Sequence, residues 1–325
     1  MNVGSRMHWL MVAAPLLAAG IGMAAGGRTA GAAGATVSDA DQAALRERCA
    51  TRISIALVGK SASDDLLASS NPQSGVDALL ASPDFFERFA RFVNSQFNRD
   101  PGKAPAEDAS YYLAKYVLEN GKPWTDLFLG PYNVDADDKG NVQVTDDPNG
   151  LGYFRSQPWL FRYAGNELAG IKISTAYRIM NNMVGLQLMA TTNAPDADVS
   201  VTGRHAGTCA GCHFQNWYAL DQVAGILSKK TKDDKGNVTF TPYTGGSQKI
   251  LGGKMIADDQ GLVQALAGSE NFSFNACRLS FSYLYGRAEN KCEGPVLDRC
   301  IDAFKSQKTI QSALSVIAKD PGFCQ

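Results

Sequence analysis

Histidine is scarce in this sequence: His8, His205 and His213 are the three in 325 residues, which leaves no spare imidazole for acid–base work. Neither sign of charge dominates. With 31 basic and 32 acidic residues the net charge is -1, so there is no basic excess of the kind that nucleic-acid binding calls for. Charged residues make up only 19% against 45% hydrophobic, a balance that excludes a mostly disordered chain. Beyond residue 35 no stretch approaches the ~20 apolar residues needed to cross a bilayer, so no membrane span is expected in the mature chain. What the sequence does have is enough length for one or two domains with a real core.

Residues 1–35 contain no acid, two arginines (Arg6 and Arg28) and an apolar stretch from Trp9 to Ala25, followed by small residues up to Ala35. Pro15, Gly20 and Gly22 interrupt that stretch. The segment reads as a signal peptide cleaved after Ala33-Gly34-Ala35 rather than as an anchor, which predicts a periplasmic or otherwise exported protein. Seven cysteines suit an oxidising compartment. Two belong to a motif described below; the other five are odd in number, so at least one is free or joins another molecule. Cys277, Cys292, Cys300 and Cys324 can pair in three ways, and at least one disulfide is expected among them.

Apolar residues recur at helical spacing over Ala43–Leu57, Val76–Asn98 with a break at Pro83, Ala106–Glu119, Pro158–Tyr163, Ser174–Met189 and about Cys212–Leu227. Three closing helices follow around Gly261–Leu266, Phe272–Tyr285 and Val296–Ile317, the last broken near Lys308. Polar stretches at Asn133–Gly152 and Lys229–Gly253 read as hairpins. The expected class is mainly α, a multi-helix cytochrome-c-like assembly with small polar hairpin insertions. It divides into an N-terminal helical region (36–130), a hairpin linker (131–157) and a C-terminal helical region (158–325). The hexapeptide Asp-Asp-Lys-Gly-Asn-Val occurs at 137–142 and again at 233–238. Lys139 occupies a position where a calcium loop needs oxygen, so the repeat reads as a turn between short strands.

Residues 208–214 read Thr-Cys-Ala-Gly-Cys-His-Phe. Cys209, Cys212 and His213 therefore form CxxCH, the c-type haem attachment pattern, which chance would supply only about 0.001 times in a chain of this composition. Thiols three residues apart on one helical turn point the same way and can form thioethers with two vinyl groups, while the next residue offers an imidazole to iron. A thioredoxin-like dithiol would need a strand-rich context that is missing here. A zinc site drawing on His205, Cys209, Cys212 and His213 would require adjacent residues to share one tetrahedral ion.

Around this motif the sequence resembles the cytochrome-c-like exported proteins first noticed in planctomycetes, which are built from serial domains of unknown function with one CxxCH. The resemblance rests on Ala78–Phe92 (ALLASPDFFERFARF), on Arg204–Leu220 with CAGCH at its centre, and on Leu262–Phe323 with Cys277-Arg278 and Tyr283-Leu284-Tyr285-Gly286-Arg287. After the histidine the family's Asp-Pro-rich continuation is replaced by Phe214–Leu220, FQNWYAL. The resemblance implies one covalent haem c and an exported location, and no particular reaction.

Four candidates compete for the other side of the iron: Met255 behind Leu251-Gly252-Gly253-Lys254, the Met180, Met183 and Met189 group, His205, and an open position. The Gly-Gly-Lys-Met approach resembles the segment that delivers sulfur in small c-type cytochromes. Arg204, Arg287 and Lys254 are candidate partners for haem propionates. The expected function is an exported mono-haem c-type cytochrome passing single electrons between periplasmic redox partner proteins. The alternatives are a haem enzyme of peroxidase or oxygen-activating type with an open iron position, or a haem-based sensor or binding module.

Overall fold

The first helix, α1 (Asp39–Val58), begins with Asp39 and Asp41 in its first turn, where carboxylates favour the positive end of the helix dipole. It buries Cys49, Ala50, Ile53 and Leu57 along one face. Gly59 ends it at φ +70°, its N–H donating to the carbonyls of Ser54 and Ile55, a reversal that a side chain would strain. This computed structural model describes residues 38–98, 101–102, 108–136, 141–156, 159–160, 173–189, 198–232 and 238–325. The signal peptide expected over 1–35 and most of the Pro158–Tyr163 helix lie outside the described residues, as does part of each copy of the repeated hexapeptide.

Two short helices, α2 (Asp64–Ala68) and α3 (Val76–Leu80), lead to α4 (Pro83–Phe97). The break falls where Pro83 predicts it. Ser82 caps the new helix by accepting from the Phe85 N–H, and Pro83 takes the first turn, where its missing donor costs nothing. α4 turns Phe85, Phe89, Ala90, Val93 and Phe97 inward and packs against α5 (Ala109–Glu119). After α6 (Asp126–Leu129), strands β1 (Tyr132–Ala136) and β2 (Val142–Asp146) pair antiparallel with Val134 opposite Val144.

The second half holds α7 (Ile173–Val184), α8 (Val201–Arg204) and α9 (Leu220–Gly225). Two hairpins follow, β3 (Lys229–Lys232) with β4 (Val238–Thr241) and β5 (Gln248–Ile250) with β6 (Lys254–Ile256). The chain closes with α10 (Asp259–Ala267), α11 (Glu270–Tyr285), α12 (Gly294–Gln307) and α13 (Ile310–Ala318). The expected interruption near Lys308 is present, with Lys308 at φ +62° between α12 and α13.

The fold is mostly helical, and its six described strands form three two-stranded ribbons. Residues Asp39–Gln325 are one compact unit, so the three regions read from the sequence share a single core. Aromatic rings stitch them together: Phe89 meets Trp124 and Tyr283, and Phe128 meets Trp124, Phe154 and Phe272. Edge and offset contacts of this kind add about 0.5–1.5 kcal/mol each beyond the area they bury.

Two disulfides staple the helices. Cys277–Cys300 joins α11 to α12, which meets the expectation of a bridge among the C-terminal cysteines. Cys49–Cys324 joins α1 to the turn Pro321–Cys324 across 275 residues, so Cys324 pairs outside the C-terminal cluster within which its partner was expected. Cys292 is exposed and unpaired, as the odd count requires. No helix among the described residues is long and apolar enough to cross a membrane.

Candidate functional site around Cys209, Cys212 and His213

The motif sits between two short helices. Ser200 caps α8 by accepting from the Gly203 N–H, and the chain then turns through Gly207 at φ +53°. The next helical turn starts at Cys209 and widens into a π-turn over Gly211–Gln215, closed by the Asn216 N–H donating to the Gly211 carbonyl at 2.8 Å. Such one-residue insertions are rare and recur at functional positions. They also explain why the single helix expected from Cys212 to Leu227 is two pieces: residues 216–219 leave the helical path before α9 begins.

Both motif thiols are unbonded and partly buried. The Cys212 sulfur lies 3.4 Å from the Tyr218 hydroxyl, whose oxygen accepts from Asn216 Nδ2 at 2.9 Å. The neighbouring Cys212 and burial raise the Tyr218 pKa, so the phenol remains neutral and able to donate to sulfur.

His213 is anchored through one nitrogen. Its Nδ1 lies 2.6 Å from Asp221 Oδ2, and because a carboxylate only accepts, Nδ1 carries the proton, leaving Nε2 as the ring nitrogen not tied to Asp221. Asp221 stands in the first turn of α9, whose buried face is Leu220, Val223 and Ala224. Its Oδ1 receives Arg204 Nη2 at 2.9 Å and Nε at 3.1 Å. Arg204 also donates through Nη1 to the Val199 carbonyl. The Arg204 and Asp221 side chains are only 10% and 9% exposed. The result is a buried chain, guanidinium to carboxylate to imidazole, that fixes the ring's orientation. The sequence held no sign of Asp221, which lies eight residues past the histidine and reaches it only once the π-turn has folded.

The other predicted site residues are placed less directly. Arg204, read as a propionate partner, has donors on Nε and both Nη atoms engaged within the chain. Arg287, at the end of α11, pairs with Glu293 at 2.6 and 2.9 Å and covers the Tyr285 ring. Met255 lies on β6 opposite Lys249 and is 65% exposed. Its hairpin passes close to Trp217, four residues past His213: a Cβ at Gly252 would stand 3.9 Å from Trp217 Cβ. Met180 and Met183 are fully buried on the inner face of α7, whereas Met189 is 91% exposed. The His205 ring stacks on Phe214 at 3.5 Å between centroids.

The donor chemistry fits a c-type haem: two free thiols three residues apart, then an imidazole with one nitrogen held and the other free. Near the motif in sequence, Val199, Val201 and Trp217 are large apolar residues left exposed. Among the described residues no three His, Cys, Asp or Glu side chains converge as donors for a bare metal ion, which leaves the zinc arrangement without a ligand set. Comparison with protein-family models, with curated proteins and with solved structures finds no match.

Proposed function

We propose that this protein is an exported mono-haem c-type cytochrome that passes single electrons between periplasmic redox partner proteins. The observation that carries the reading is the pairing of two unbonded thiols, Cys209 and Cys212, with a histidine whose Nδ1 is tied to Asp221. Metal-ligating histidines characteristically donate their second ring N–H to a carboxylate or carbonyl in this way. The Arg204–Leu220 resemblance and the two disulfides support the cofactor and an oxidising compartment respectively. The helical assembly around the motif is then a cytochrome-c-like one.

An iron porphyrin bound here supplies a one-electron couple. Cys209 and Cys212 would hold it as thioethers, each thiol adding across one vinyl C=C bond with no leaving group and no oxidant required. His213 would offer Nε2 to the iron, and the Tyr218 hydroxyl, 3.4 Å from the Cys212 sulfur, would donate to that sulfur once it is a thioether.

The test is protein produced with a functioning c-haem maturation system. Its colour should survive acid-acetone extraction, and the denatured chain should weigh one haem more than the mature peptide. Haem that extracts freely, or purified protein carrying zinc, would overturn the reading.

A further inference from the structure

Histidine ligands differ in how much electron density they give iron, and the group that accepts from the far ring nitrogen sets that difference. Here the acceptor is a full carboxylate rather than a neutral carbonyl, and it is buried. Asp221 serves both partners: Oδ2 takes His213 Nδ1 at 2.6 Å and also Arg204 Nε at 3.3 Å, while Oδ1 takes the Arg204 guanidinium through Nη2 at 2.9 Å and Nε at 3.1 Å. We propose that Asp221 is the positioning residue that tunes the iron, making His213 a strongly basic ligand that favours the oxidised state, with Arg204 as the opposing charge that limits the effect. The inference rests on the haem reading above and names its regulation.

The signs follow from charge alone. Ferric iron carries one positive charge more than ferrous iron, so a buried anion on its histidine stabilises the oxidised form, and a buried cation behind that anion opposes it. Burial matters because a lower local dielectric leaves these charges interacting more strongly than they would in water. A purely structural role for the triad would give no reason for opposite shifts.

The experiment is a spectroelectrochemical titration of the full, haem-loaded protein in three variants, with circular dichroism as the check on folding. Asp221→Asn should shift the potential above wild type, Arg204→Gln should shift it below, and Asp221→Glu should restore most of the wild-type value. The His213 Nδ1 proton of the reduced protein, followed by NMR, should exchange with solvent faster in Asp221→Asn than in wild type. An unchanged potential in a folded, haem-loaded Asp221→Asn overturns the inference while leaving the haem reading intact, as do shifts of the same sign in both charge variants. If Asp221→Asn does not fold, Arg204→Gln and Asp221→Glu decide the matter. Wild-type protein without covalent haem overturns both readings.

Discussion

Removing the Cys49–Cys324 bridge is the perturbation whose size the structure fixes best. The bond closes a loop spanning 275 residues of sequence, nearly the whole described chain. In the chain-entropy account a loop of that length restricts the unfolded state by roughly 5–6 kcal/mol, against about 3 for the 23-residue separation of Cys277–Cys300. Little of this comes from the folded side. Without the bond the C-terminal turn stays docked, because Phe323 is buried, Arg52 lies 4.8 Å over its ring, and Arg52 Nη1 donates to the Gln325 carbonyl at 2.9 Å. Cys49→Ala/Cys324→Ala should therefore fold to the same structure and lose about 5 kcal/mol, a third or more of a total stability of about 5–15 kcal/mol. The assay is guanidinium unfolding followed by far-UV circular dichroism. Because the effect lies in the unfolded ensemble, the denaturant slope m should rise as that ensemble expands, and should rise more than in Cys277→Ala/Cys300→Ala. A loss under about 2 kcal/mol, or an unchanged m, would refute the entropic argument.

The helices were legible because each buries one face at a repeat near 3.6, and because punctuation residues stop them where expected. Pro83 opens α4, and Gly121 at φ +58° follows α5. Lys308 interrupts the last helical run. What escaped was tertiary. The pairing of Cys49 with Cys324 depends on α1 packing against the last turn, which no local pattern records. The break between His213 and Leu220 was hidden because Trp217, Tyr218 and Leu220 continue an apolar rhythm that a π-turn redirects. Arg204 was read as a partner for a haem propionate, whereas its guanidinium is engaged by Asp221, 17 residues onward, and by the Val199 carbonyl, an arrangement that needed the fold. The CxxCH was readable because it is a local pattern of fixed spacing, whereas Asp221, which holds its histidine, is brought there only through space.

Two further outcomes are expected. The Asp77 carboxyl on α3 accepts from Lys319 and Ser315, and these hydrogen bonds, Lys319 first, hold its pKa below the usual carboxylate range. A lowered folded-state pKa contributes stability that is complete above the ordinary value near about 4 and is lost as pH falls through the folded one. Asp77→Asn should therefore cost no more than about 1 kcal/mol at neutral pH, since the pair is largely exposed. It should also flatten the acid limb of a stability-against-pH curve; an acid limb as steep as wild type would remove Asp77 from it. The other concerns the sulfur ligand. Met180 and Met183 are sealed in the core, so Met255 and Met189 are the two methionines among the described residues whose sulfurs stand in solvent. Met255 is favoured because its Gly-Gly-Lys-Met approach resembles the segment that delivers sulfur in small c-type cytochromes, and because Gly252 in its hairpin passes close to Trp217, four residues past His213. At 65% exposure its side chain contributes little to stability, so Met255→Ala should stay within about 0.5 kcal/mol of wild type and report on ligation alone. A thioether opposite histidine raises the potential of haem iron. Met255→Ala should accordingly lower the potential, abolish the far-red sulfur-to-iron band of the oxidised protein and let the reduced iron take carbon monoxide. Unchanged spectra in Met255→Ala, with the band lost in Met189→Ala, would move the ligand to Met189. A wild-type spectrum already high-spin would exclude sulfur ligation by either and turn the reading from electron carrier toward haem enzyme.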